Sequence, residues 1–132
     1  MIVRSNFRRY KWKFQRKHVY LLPFDLGDKS LTILSNTGNA LVVGKGYKLT
    51  INRHYHFDGA TCAPDFDKVL YAAALHDALL QLKDKYPGKI SEYMAHQAFR
   101  QEMIDRDFRL WPVYSFFTRP FARKIYKRIK RS

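Results

Sequence analysis

The chain of 132 residues has one cysteine, Cys62. That excludes an intrachain disulfide framework and a thiolate-rich zinc site. A lone cysteine beside a turn reads first as a small packing residue, with a catalytic thiol as the other reading. The chain also lacks any apolar run near the roughly 18 residues that span a bilayer. Its longest, "VLYAAALHDALLQL" at 69–82, carries His76 and Asp77 inside it and predicts a buried helix. No apolar segment stands behind the basic N-terminus, so a secretory signal is not expected. Acidic residues are missing from the first 18 positions, which hold seven Lys/Arg. They are nearly missing from 106–132, where nine Lys/Arg stand against one acid.

The net charge of +14 therefore comes from the two ends, because residues 19–105 hold nine basic and ten acidic side chains. A near-neutral body with two basic ends points to a polyanionic partner. DNA, an anionic membrane surface and an acidic protein all qualify. The candidate contacts are Arg8, Arg9, Lys11 and Lys13 at one end. At the other they are Arg123, Lys124, Lys127, Arg128, Lys130 and Arg131. Phe7, Tyr10, Trp12 and Phe14 interleave with the first group. Aromatics among cations suit base stacking beside phosphates, a membrane interface, or an N-terminal arm packed on the body.

With 46% apolar residues the chain has material for one core and reads as a single domain over 1–132. A basic arm is expected at 1–18 and a basic amphipathic C-terminal helix at about 119–132. In that helix Phe121, Ile125 and Ile129 form one apolar stripe. Residues 19–57 predict a small antiparallel sheet. "VYLLPF", "LTILS", "ALVVG" and "YKLTINRHYHF" are rich in β-branched and aromatic residues and are separated by turn formers. After Pro64 a helix is expected to start near Asp65 or Phe66 and to stop at Pro87-Gly88. A second is expected over about Lys89 to Asp105. The expected fold class is thus α+β: a small sheet followed by three helices.

The sharpest local signal is "HFDGATCAPDF" at 56–66, followed by "LHDALL". Asp58 can accept hydrogen bonds from backbone N–H groups of the turn after it, and Gly59 permits a backbone angle that other residues avoid. His76 and Asp77 are neighbours on a helix and point about 100° apart, so both can flank one groove. A His-Asp pair in an apolar helix needs partners. Those partners could be each other, a water or a divalent metal.

"HFDGATCAP" (56–64), "AALHDALL" (73–80) and "HQAFRQEM" (96–103) occur in that order. In these three motifs the chain resembles a family of small uncharacterised proteins of tailed phages and prophages. That family carries Asp-Gly-Ala-Ser-x-Pro, His-Asp and Asp-x-x-Phe-x-x-x-Met elements. The resemblance covers roughly residues 47–117. His96 stands where the family has Asp, and Leu80 where it has Tyr. The resemblance implies a phage or prophage origin, among late, virion or lysis functions, and a virion or host-cytoplasm location. It implies no established activity.

The leading expectation is a late protein, a virion or assembly component. It would contact DNA, an anionic surface or other virion proteins through its basic ends, with Asp58, His76 and Asp77 locking the strand–helix junction. The alternative is a small metal-dependent hydrolase of a cell-envelope amide or a phosphoester. Asp58, His76 and Asp77 would be catalytic, and with His96 they would hold the metal. Two further readings are a protein that masks a host factor and a likeness to the His-Asp phosphohydrolases. The latter would recruit His54 or His56 and Asp105 or Asp107, but those enzymes are all-helical.

Overall fold

The computed structural model describes residues 2–4, 12–57, 67–106 and 112. Among the described residues nine elements run in order: β1 (Ile2–Arg4), β2 (Trp12–Phe14), β3 (His18–Leu21), β4 (Leu31–Leu34), β5 (Ala40–Lys45), β6 (Lys48–Ile51), β7 (His56–Phe57), α1 (Asp67–Lys85) and α2 (Glu92–Asp105). All strand pairs are antiparallel and fall into two sheets, ordered β1-β2-β7 and β3-β6-β5-β4.

The α+β class stands, but its expected anatomy is corrected. There are two sheets where one was expected, and two helices among the described residues where three were expected. Pairing begins at Ile2 and not at 19, because β1 and β2 form a hairpin inside the segment expected as an arm. The run expected as one strand over 47–57 breaks between Ile51 and His56. The third helix, expected at about 119–132, lies outside the described residues, as does the turn around Asp58 and Cys62.

The two sheets share one ribbon. Trp12 pairs with Phe57 and Lys13 with His56. Phe14 and Tyr55 remain opposed through the hydrogen bond from Phe14 N–H to Tyr55 C=O at 2.9 Å. His18 pairs with Ile51 and Leu21 with Lys48. The register is the same on both sides of the break, so residues 15–17 and 52–54 leave the ladder opposite one another. Asn52 turns the chain by accepting from Tyr55 N–H, and His54 takes a left-handed φ of 76°. That conformation is uncommon for a residue with a Cβ.

Turn chemistry fixes the rest of the larger sheet. β5 and β6 are joined by Gly46 and Tyr47, with Gly46 at φ 58°. A positive φ at the first central position alone is the type II′ arrangement, whose twist matches the strands. The β4–β5 turn closes through Ser35 N–H to Asn39 C=O at 2.8 Å, with Gly38 at φ 87°. The edge of β4 is covered from the end of α1. Thr32 N–H donates to the Tyr86 hydroxyl, and Lys85 Nζ donates to Thr32 C=O at 2.8 Å. Covered edge groups do not template pairing with another chain.

α1 is buried almost all round. Val69, Leu70, Leu75, Leu79 and Leu82 are in the core, and so are Ala72, Ala73, Ala74 and Ala78. A helix apolar on every face must lie between two layers. Here the layers are the sheets and α2. Tyr71 receives the rings of Phe14 and His18, one from each sheet, and its carbonyl accepts from the buried Tyr20 hydroxyl at 2.7 Å. On the other side Phe99 and Met103 of α2 close the core. α2 starts at Ser91, whose hydroxyl accepts from Met94 N–H at 3.1 Å. This is a side-chain cap, and it places the first helical residue, Glu92, three residues after the expected Lys89.

Candidate functional site

The residues singled out in the sequence separate into three groups. Asp58, Arg8, Arg9, Lys11, Arg123, Lys124, Lys127, Arg128, Lys130, Arg131, Cys62 and Asp107 lie outside the described residues. His76, Asp77 and His96 lie at the α1–α2 contact. Lys13 lies on β2 opposite His56.

His76 is buried on α1 and Asp77 half-buried beside it, with His76 Nδ1 and Asp77 Oδ1 3.9 Å apart. The imidazole meets the edge of Phe99, ring centres 5.6 Å apart. His96, also buried, precedes Phe99 by three residues and so shares its face of α2. The structure therefore brings His76 and His96 to the same helix–helix seam. Among the described residues no group of three or more His, Cys, Asp or Glu could hold a metal ion. His54 and His56 sit on the break and on β7, so the all-helical scaffold of the His-Asp phosphohydrolases is not the one present. Asp105, exposed at the end of α2, accepts from Gln101 at 2.8 Å.

Two constellations were not foreseen. The first joins β3 to the end of α2. Arg106 lies over the Tyr71 ring at 4.2 Å, pairs with Glu102, and donates to Nε2 of His18 at 3.4 Å. That nitrogen then carries the lone pair, and the proton belongs on Nδ1. Burial lowers the His18 pKa and the Arg106 charge lowers it further, so the ring is neutral at pH 7. Burial, then the nearby Glu102 carboxylate, raises the Tyr20 pKa well above the usual phenol value. No sequence pattern links positions 18 and 106.

The second is an open groove of about 430 Å³ at the break in the ribbon. Lys17, Arg53 and His54 line it, together with Ser35, Thr37, Asn39 and Asn52. Among the described residues no carboxylate does. Lys17 and Arg53 are exposed, and neither pairs with a carboxylate among the described residues. On the neighbouring sheet face Lys13 opposes His56, whose pKa is lowered by burial and then by Lys13 itself. The sequence signal for the groove was partial: Lys17 belongs to the basic N-terminal segment, but Arg53 and His54 read as strand residues.

Fold and groove define an α+β protein with a cation-lined surface on a bent antiparallel ribbon. Comparison with protein-family models, with curated proteins and with solved structures finds no match. Among the described residues no helix is long and apolar enough to cross a membrane.

Proposed function

We propose that the protein is a phage-encoded late protein, a virion or assembly component, that binds a polyanion through its basic ends. The observation that carries the binding part is the placement of charge. Residues 1–18 hold seven Lys/Arg and no acid. The described part of that segment holds the paired strands β1 and β2 and one side of the strand break, with Arg16 and Lys17 exposed. Cations without carboxylate partners attract phosphate-bearing polymers and release their counterions. The phage assignment rests on the motif resemblance over 47–117 alone.

The test is a salt titration of binding to a labelled DNA duplex. Phosphate-driven binding weakens linearly in log–log form, with a slope of about 0.9 per phosphate neutralised. No binding at low salt, or binding indifferent to salt, removes the proposal. Proteomic detection of the protein in purified virions tests the assembly part.

The second reading is the metal-dependent hydrolase. The observation on its side is the adjacency of His76 and Asp77 on α1, Nδ1 and Oδ1 3.9 Å apart, although with His96 they do not form a metal-holding group among the described residues. Its test is metal analysis of protein prepared without chelators, beside an Asp77→Ala variant that retains its fold. A stoichiometric metal lost in the variant supports this reading, and metal-free protein removes it.

A further inference from the structure

From the groove at the strand break we infer a site for the phosphodiester backbone of a nucleic acid, held without reading the bases. This rests on the polyanion-binding proposal and gives it a location.

Three segments build the site, and each is held in place. The shared register sets 15–17 against 52–54, so both strands leave the ladder together and turn their polar residues outward. Asn52 ties the break to β5 twice, through its N–H to Leu41 C=O and its side-chain amide to Ala40 C=O at 2.9 Å. His54 is held at φ 76°, a strained conformation of the sort that collects at functional positions. The β4–β5 turn is fixed by its own side chains. Asn39 N–H donates to Ser35 Oγ and its amide to Thr37 Oγ1, while Ser35 and Thr37 share one hydrogen bond at 2.9 Å. Two hydroxyl hydrogens serve that pair and only one is used between them. The other remains for an acceptor in the groove.

The described residues of the groove thus offer two full positive charges, an imidazole, a hydroxyl hydrogen and no competing carboxylate. Its ligand is an oxyanion with several acceptor oxygens, and phosphate fits that description. Among the described residues no aromatic side chain lines it other than the His54 imidazole, so they offer no platform for stacking bases in sequence. The contact is therefore with the backbone. A lipid surface fits less well. Its apolar lining is Ala40 and the half-buried Leu41, and the large apolar side chains exposed among the described residues, such as Val19, Leu21 and Tyr47, do not line it, whereas interfacial binding inserts such groups.

The experiment compares binding of a thymidine oligonucleotide to the full chain, to Lys17→Ala/Arg53→Ala, and to Lys45→Ala/Lys48→Ala. The last pair removes the same charge from the opposite end of the sheet. All four side chains are exposed, and thermal melts confirm folding. The groove variant should lower the log–log salt slope by about two, one per lost phosphate contact. Its affinity at low salt should fall at least tenfold, and the control should lose less than half as much. Equal losses in the two variants, or none in the groove variant, overturn the site while leaving polyanion binding intact. Failure of the unaltered chain to bind either the oligonucleotide or phosphatidylserine vesicles removes both. Binding to phosphatidylserine vesicles without binding to the oligonucleotide overturns the assignment to nucleic acid.

Discussion

His18 shows how one side chain joins chain-distant parts of the molecule. Its ring lies 4.6 Å from that of Tyr20 and 4.9 Å from that of Tyr71, and it accepts from Arg106. Protonation would remove the acceptor and set an imidazolium against a guanidinium. The folded pKa lies below the ordinary value of 6.5, so the fold binds fewer protons than the unfolded chain in that range. The stability contributed is therefore fully present above about pH 6.5 and is lost as pH falls through the lowered folded value. His56 shifts in the same direction, so the wild-type slope alone does not identify the group. Melting temperature measured from pH 7.5 to pH 5 should fall less steeply in His18→Gln than in the wild type. Parallel curves would show that the His18–Arg106 contact does not couple to folding.

At the scale of elements, legibility followed the length of the pattern. β4, β5 and β6 were readable because β-branched runs alternate between turn formers. α1 was readable because its apolar run is far too long for a strand. β1 and β2 were not, because each has three residues and sits among cations and aromatics that fit several environments. The break at 52–54 was hidden because Asn52, Arg53 and His54 keep the polar–apolar texture of an outer strand. Only the left-handed angle at His54 reveals it, and composition carries no signal for that. The seam residues His76 and Asp77 could be picked from the sequence as polar groups in an apolar helix. The His18–Arg106 contact could not, since it depends on how β3 meets the end of α2. α2 starts later than Lys89 because Ser91 caps it, and Ser followed by an acidic residue is the signal in the sequence for that start. Its hydroxyl satisfies Met94 N–H, and replacing a Ser cap by Ala typically costs about 1 kcal/mol. Ser91→Ala should lower stability by about that amount in urea unfolding, and Ser91→Asp should retain most of it. Equal losses in both would show that the hydroxyl is not acting as a cap.

On the scale of the whole molecule, the question is whether two sheets make two units. The ribbon register continues through the break, and α1 serves both sheets. Phe14 and Phe57 of the smaller sheet and Leu49, Ile51 and Val42 of the larger belong to one buried cluster with Leu75, Leu79 and Leu82. Strands of two or three residues, as in the smaller sheet, have little stability of their own, so that sheet depends on the shared helix. Unfolding should accordingly be one transition. Leu79 is fully buried, and its truncation to Ala leaves a cavity between the layers, at a cost of about 2–5 kcal/mol. Native-state hydrogen exchange tests the coupling directly. In Leu79→Ala the amides of Phe14 and His54, which donate to Tyr55 C=O and Phe14 C=O across the smaller end of the ribbon, should lose as much protection as those of Tyr20 and Leu49 at its larger end. If the Phe14 end already opens at far lower free energy in the wild type and is unmoved by the substitution, the smaller sheet is an independent flap. The groove at the break would then be a hinge between two bodies and could not hold its cations at a fixed spacing. Equal loss at both ends instead makes the break a rigid feature of one core. The phosphate site needs that rigidity, because Lys17 comes from one strand of the ribbon and Arg53 and His54 from the other.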